Sequence, residues 1–316
     1  MANGSFEYAL PSATYVDIPD PLDKIAFVSH NCYQVSLKSH GENATFVGQL
    51  VTNRHLAMAE HYVFTALASP FLLDPLRKFN SPFIRFDPYQ GQLLLSYSIR
   101  PLIENATNPD PEAHKVISAL TLALPQECQR LVPQSVGMAS PFAVKPVDDG
   151  FVSALGEPLR DRHRFVTYAL ETDRGVTHEL VRHRLCSFAQ ESTRYCNYSR
   201  NRFGDKITII KPLDYVGREA LYDQAFQQAA ESYFALLKAG ALAQQARAVL
   251  PNGLRAKLVI STYMDEWRHI FDLRLAHDAH PEARRVLWLV EKDMERRGFL
   301  PAGSYKEDDL CPRKGL

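Results

Sequence analysis

The chain has 316 residues, and its 36 Lys and Arg balance 36 Asp and Glu to a formal net charge of zero. That balance excludes a protein-wide basic field for gripping duplex nucleic acid or an anionic membrane, and equally an acidic solvating tail. With 46% hydrophobic and 23% charged residues, the composition is that of a globular chain long enough for one large or two ordinary domains.

In chain order, the start Met1-Ala-Asn-Gly-Ser-Phe lacks a basic segment followed by an apolar one, so no secretory leader is expected. No apolar run reaches the roughly 18 residues of a membrane span, and a cytoplasmic protein is expected. Lys24–Ser29 reads as a short strand, and Ala44–Leu50 carries an apolar helical stripe. From Ser69 to about Arg162 prolines recur, at positions 109, 111, 133, 141, 146 and 158. Such density argues against one long regular element. Within the stretch, Gly91–Ile99 suits a strand and His114–Leu124 a helix. Residues 66–163 are read as an insertion, loosely built, within a single domain spanning 1–316.

Phe165–Leu170 is a strand candidate, and Asp173 suits the N-cap of a helix running to Arg184. Ile207–Ile210 is a β-branched run, and Asp214–Ala239 has helical periodicity ending at Gly240. Leu254–Thr262 reads as a strand, and Asp265–Leu275 and Pro281–Arg297 as helices, the second opening with proline and closing at Gly298. Trp267 and Trp288 lie on helical stripes and are assigned to the core, His280 to a helix entry, and 301–316 to a polar tail. Cys32, Cys128, Cys186, Cys196 and Cys311 are odd in number, scattered and without a C-x-x-C pair. Reduced thiols are expected, not a disulfide framework or a cysteine zinc site.

His178-Glu179-Leu-Val-Arg-His183 superficially suggests a zinc-protease helix, but its histidines are five positions apart. On a helix that sets them roughly 140° apart, where a shared metal needs about 40°. No metal is expected. The densest chemistry is between Arg182 and Lys206, where Arg182, Arg184, Arg194, Arg200, Arg202 and Lys206 face only Glu191 and Asp205. Ser187, Gln190, Ser192, Thr193, Tyr195, Asn197 and Tyr198 are interleaved. Guanidinium forks suit phosphate and carboxylate, while hydroxyls and amides suit sugar and base edges. The cluster reads as a nucleotide-like anion site, with a solvated basic face as the alternative.

Arg182-His183-Arg184, seven residues, then Ser192-Thr193-Arg194 spells R-H-R-x7-S-x-R. This resembles the signature of flavin-dependent thymidylate synthases. Ala246-Arg247-Ala-Val-Leu250-Pro251, Glu266 to Arg274, and His55 with Glu60-His61 resemble further blocks of that family, in the right order. The resemblance implies an α+β fold with a mixed or antiparallel sheet and long helices, assembled as a homotetramer with shared active sites. It implies reductive C5-methylation of dUMP to dTMP with FAD, methylenetetrahydrofolate and NADPH, and no nucleic-acid or membrane partner.

Carried over by position, Glu60, Arg182, His183, Arg184, Gln190, Tyr263, Asp265 and His269 would contact FAD. Glu179, Arg182, Gln190, Glu191, Ser192, Thr193, Arg194, Arg247 and Arg274 would contact dUMP, with Arg274 and Ser192 catalytic. Arg274 would hydrogen-bond the uracil, a role suited to a cation that cannot lose its proton. Glu179 replaces a common glutamine, Ala189 and Gln190 a common Asn-Glu pair, and Tyr263 and Asp265 an Asn and an Arg. An intrahelical ion pair from Glu179 to Arg182 or His183 is its other reading. Cys186 and Cys196 are read as packing residues, since the family needs no cysteine nucleophile. The alternatives are methylation or hydroxymethylation of another pyrimidine nucleotide, and an inactive flavin- or nucleotide-binding homologue.

Overall fold

The computed structural model describes residues 4–31, 38–133, 140–194, 196–199 and 204–306. Its strands are β1 Ser5–Ala9, β2 Ser12–Tyr15, β3 Phe64–Ala68, β4 Ile84–Tyr89, β5 Gln92–Tyr97, β6 Val144–Val147, β7 Phe165–Asp173, β8 Ser187–Gln190, β9 Lys206–Ile210 and β10 Arg255–Tyr263. They form two four-stranded sheets, ordered β2-β7-β10-β8 and β4-β5-β3-β6, and the pair β1-β9. Both larger sheets are antiparallel, and β1 runs parallel to β9. With the helices interspersed along the chain, the class is α+β, as expected.

The centre of the first sheet is the register of β7 against β10, from Phe165↔Tyr263 to Asp173↔Arg255. Each strand then turns into a helix, Arg174–Leu180 and Met264–Arg274. Asp173 caps the first as its sequence suggests, its carboxylate accepting from Val176 N at 2.8 Å. Helices Met264–Arg274 and Pro281–Arg296 bury Trp267, Phe271, Val286 and Val290 against Val166, Tyr168 and Leu170. The Trp267 indole N–H donates to Val166 O at 3.1 Å, so this large core ring leaves no orphaned donor. His280 caps Pro281–Arg296, and Gly240 and Gly298 follow their helices at φ +94° and +71°, where an L side chain would be strained.

Several segments differ from the sequence expectations. Lys24–Ser29 is not a strand but part of the helix Pro21–Asn31. Asp20 accepts from the backbone N–H groups of Leu22 and Asp23 at its start, and the helix is buried on most of its circumference. An all-round apolar helix shows no 3.6-residue stripe and imitates a buried strand. The helix after Asp173 stops at Leu180 rather than Arg184. Its buried face, Val176, Thr177 and Leu180, ends there, and tighter i→i+3 bonds from Arg182 N and His183 N carry the chain outward. The helix expected from Asp214 begins at Glu219, because Gly217 at φ +85° breaks the backbone before it. Short, half-exposed β1, β2 and β8 carry no composition signal and were not anticipated.

The proline-rich stretch is regular rather than loose. Pro88 and Pro146 occupy β4 and β6, the two edge strands of their sheet, where a missing N–H costs no ladder bond. Pro111 opens the helix Pro111–Leu122. The sheet shares one hydrophobic cluster with the N-terminal helices, joining Leu93, Leu95 and Ile117 to Leu22, Ile25 and Val47.

Candidate active site

The sequence-selected residues gather into three groups. The first is centred on Arg274, at the end of Met264–Arg274. Its Nη1 donates to Glu179 Oε2 at 3.1 Å and its Nη2 to Glu179 O at 3.1 Å. Its Nε donates to His183 Nε2 at 3.2 Å. Three of five guanidinium N–H groups are thereby used, and two are left for a ligand. Glu179 pairs across to this helix rather than along its own, so its ion pair is with Arg274 and not with Arg182 or His183. His183 is buried, and desolvation, followed by Arg274 and His269, pushes its pKa down to about 4. A neutral imidazole accepting from Arg274 is the state this geometry selects. His269 is exposed, with its ring edge-on to His183 at 5.9 Å. His183, Glu266 and His269 could offer three ligand atoms within 4.8 Å of one another. The adjacent Arg274 cation and its use of His183 Nε2 weigh against a metal ion there.

The second group lines a cavity of about 210 Å³ between the two sheets, with Glu60, Phe83, Arg85, Ser98, Arg184, Ser187 and Tyr263 in its wall. Glu60 lies in the 3-10 turn Leu56–His61, pairs with Arg100 and accepts from Ser187 Oγ at 2.8 Å. Its neighbour His61 is fully buried against Ser261, with Nδ1 to Oγ at 2.7 Å. Arg85 donates to both oxygens of Asp265, at 2.8 and 2.7 Å, and lies 3.9 Å over the Tyr263 ring. Asp265, expected at the flavin, is here ion-paired with Arg85. Arg85 and Arg100 carried no sequence signal; each is a lone arginine in the proline-rich stretch, and only the fold opposes them to Asp265 and Glu60.

The third group is the segment after β8. Gln190 donates to Thr177 Oγ1 at 2.8 Å, bridging β8 to the helix Arg174–Leu180. Ser192 Oγ accepts from Arg194 N at 3.4 Å, and Thr193 Oγ1 from Arg247 Nη1 at 3.5 Å. Glu191, expected at the nucleotide, is instead turned inward: it is 3% exposed and accepts from Tyr198 OH at 3.3 Å. Arg182, Arg184, Arg194 and Arg247 are exposed; Tyr195, Arg200 and Arg202 are outside the described residues. Arg182 and Arg184 have no hydrogen bond or ion pair from their guanidinium groups among the described residues. Beside them Val181 and Leu185 are also exposed, at 40% and 64%. Cys186 is partly buried, its thiol pushed up to about 12 mainly by desolvation, and Cys196 is fully buried. Cys186 thus lacks the lowered pKa of a nucleophile.

The fold and these groups define an α+β protein with exposed arginines near a cavity walled in part by aromatic rings. The family described as thymidylate synthase complementing protein matches residues 162–297. A flavin-dependent thymidylate synthase of Geobacter sulfurreducens is 31% identical over 222 residues, 66% of this chain and 89% of the relative. Those of Pyrococcus abyssi and Saccharolobus solfataricus are 32% and 30% identical over 139 and 135 residues. These two matches span 43% and 42% of this chain, and 56% and 51% of the relatives. The chain belongs to the flavin-dependent thymidylate synthase family. No helix among the described residues is long and apolar enough to cross a membrane.

Proposed function

We propose that the protein converts dUMP to dTMP by reductive C5-methylation, using FAD as redox carrier and methylenetetrahydrofolate and NADPH as co-substrates. The observation that carries the reading is Arg274, fixed by Glu179 and His183 with two donors to spare. A guanidinium held in this way can meet a uracil carbonyl and stabilise negative charge developing on the ring.

The residues fit a flavin. Tyr263, Phe83 and Phe165 give the cavity flat apolar walls, and Glu60 and Ser187 give polar edges. A volume of about 210 Å³ suits one ring system rather than a whole dinucleotide. The remainder would be held outside it by Arg182 and Arg184, whose unpaired guanidinium groups suit a pyrophosphate. Bound flavin would supply hydride transfer; the chain's own residues bind, orient and exclude water. Ser192, Thr193, Arg194 and Arg247 would hold the dUMP phosphate and sugar. Gln190 would set the position of β8 through Thr177 rather than touch the nucleotide. The exposed Arg182, Val181 and Leu185 support closure of the site by a second copy in a homotetramer.

The test is a panel of pyrimidine nucleotides with product mass analysis on flavin-loaded protein. Conversion of dUMP to dTMP with NADPH oxidation is expected. A response confined to another nucleotide, or a hydroxymethyl product, would replace this reading with a related activity. A protein that takes up no flavin would refute it.

A further inference from the structure

We infer that a second pocket, built around Lys24, is a binding site for a small monoanionic carboxylate with an aromatic body. Lys24 is on the buried helix Pro21–Asn31 and is 9% exposed. Its ammonium makes no hydrogen bond or ion pair among the described residues; its near neighbours are the Tyr62 and Phe165 rings, 5.7 and 6.0 Å away. A buried ammonium with only ring faces for partners is costly unless something else meets it. The Lys24 side chain lines a pocket of about 150 Å³. Arg164 lines it too, again without an ion pair or hydrogen bond from its guanidinium among the described residues, stacked 5.3 Å from Phe299. Two cations without a direct ion pair among the described residues, opposed only at longer range by Asp17, Asp149 and Asp161, are the pocket's candidate anion-binding groups.

The rim narrows the class. Asp17 and Asp149 are exposed at the mouth and beyond ion-pair distance of either cation. They repel a doubly charged phosphate more than a single carboxylate. Among the lining residues, Tyr15, Tyr62, Phe165 and Phe299 offer ring faces against which an aromatic body can stack. Burial lowers Lys24 to about 8, the two aspartates opposing the shift, and a bound carboxylate would raise it again. Val63 and Phe165 also line the cavity beside Arg184, so the two pockets share a wall but not their charged groups.

The probe is 4-fluorobenzoate, followed by its fluorine NMR line width on the flavin-loaded full chain. Lys24→Met, close in volume, should weaken binding by roughly tenfold or more, the loss expected for a charge-assisted contact. Asp149→Asn, at the exposed rim and harmless to the core, should tighten binding. Binding should be the same on the flavin-loaded and the flavin-free chain. No broadening with wild-type protein, equal binding by Lys24→Met, or displacement by inorganic phosphate more readily than by benzoate would each overturn the assignment. Competition between the probe and flavin would place the probe in the candidate flavin cavity and overturn it as well.

Discussion

Glu179 offers the sharpest test of the site. Its carboxylate and its carbonyl hold two of the three N–H groups that Arg274 uses, at 3.1 Å each. Glu179→Ala removes only the carboxylate contact; the carbonyl and His183 Nε2 still accept. A charge-assisted hydrogen bond contributes about 1.5–3 kcal/mol when well formed. Both side chains are about a quarter exposed, at 21% and 27%, which favours the lower end. If that energy serves to aim Arg274 in the transition state, kcat should fall by roughly tenfold. Glu179→Gln keeps a neutral acceptor and should lose only about two- to fivefold. The Michaelis constant for dUMP and the flavin absorbance should change little, because the carboxylate is spent on an arginine rather than on either ligand. The assay is dUMP-dependent NADPH oxidation, with flavin content and thermal midpoint measured on the same preparations. Unchanged kcat with a raised KM for dUMP would refute the argument and make Glu179 a nucleotide contact.

Arg85→Leu should reduce flavin content and leave Asp265 uncompensated beside Tyr263; retention of full flavin content on absorbance titration would show that the arginine only ties the sheets together. Cys186→Ser should keep turnover within about twofold, since a thiol raised by burial is not a nucleophile; loss of activity with intact flavin would contradict this. His61 is fully buried with its pKa lowered to about 3, chiefly by desolvation and then by Lys24. Between about pH 6.5 and 3 the unfolded state binds the extra proton, so this contribution is complete above 6.5 and is lost on acidification, at up to about 1.4 kcal/mol per pH unit. His61→Gln should flatten that limb of a denaturant-stability profile, and an unaltered slope would count against it.

The sequence by itself determined the elements with strong local signals. Asp173 as a cap, Gly240 and Gly298 as stops, β7 and β10, and the helix opened by Pro281 all follow from side chains acting on their own backbone within a few residues. The Arg182 to Arg194 motif was likewise legible, because its identity resides in local order. It misread Lys24–Ser29, where burial on every side erased the period, and it extended the helix past Leu180, where tertiary burial rather than propensity ends it. Proline density suggested looseness in residues 66–163; Pro88 and Pro146 sit on edge strands and Pro111 opens a helix, positions where a missing N–H costs little. Only the folded chain decided which charges meet. Glu179 reaches Arg274, Asp265 reaches Arg85, and Glu60 reaches Arg100 across 95, 180 and 40 positions of sequence. Among the described residues Lys24 finds no such partner. Pairing depends on a few ångströms of separation and on the exclusion of water, and neither quantity is written in local sequence.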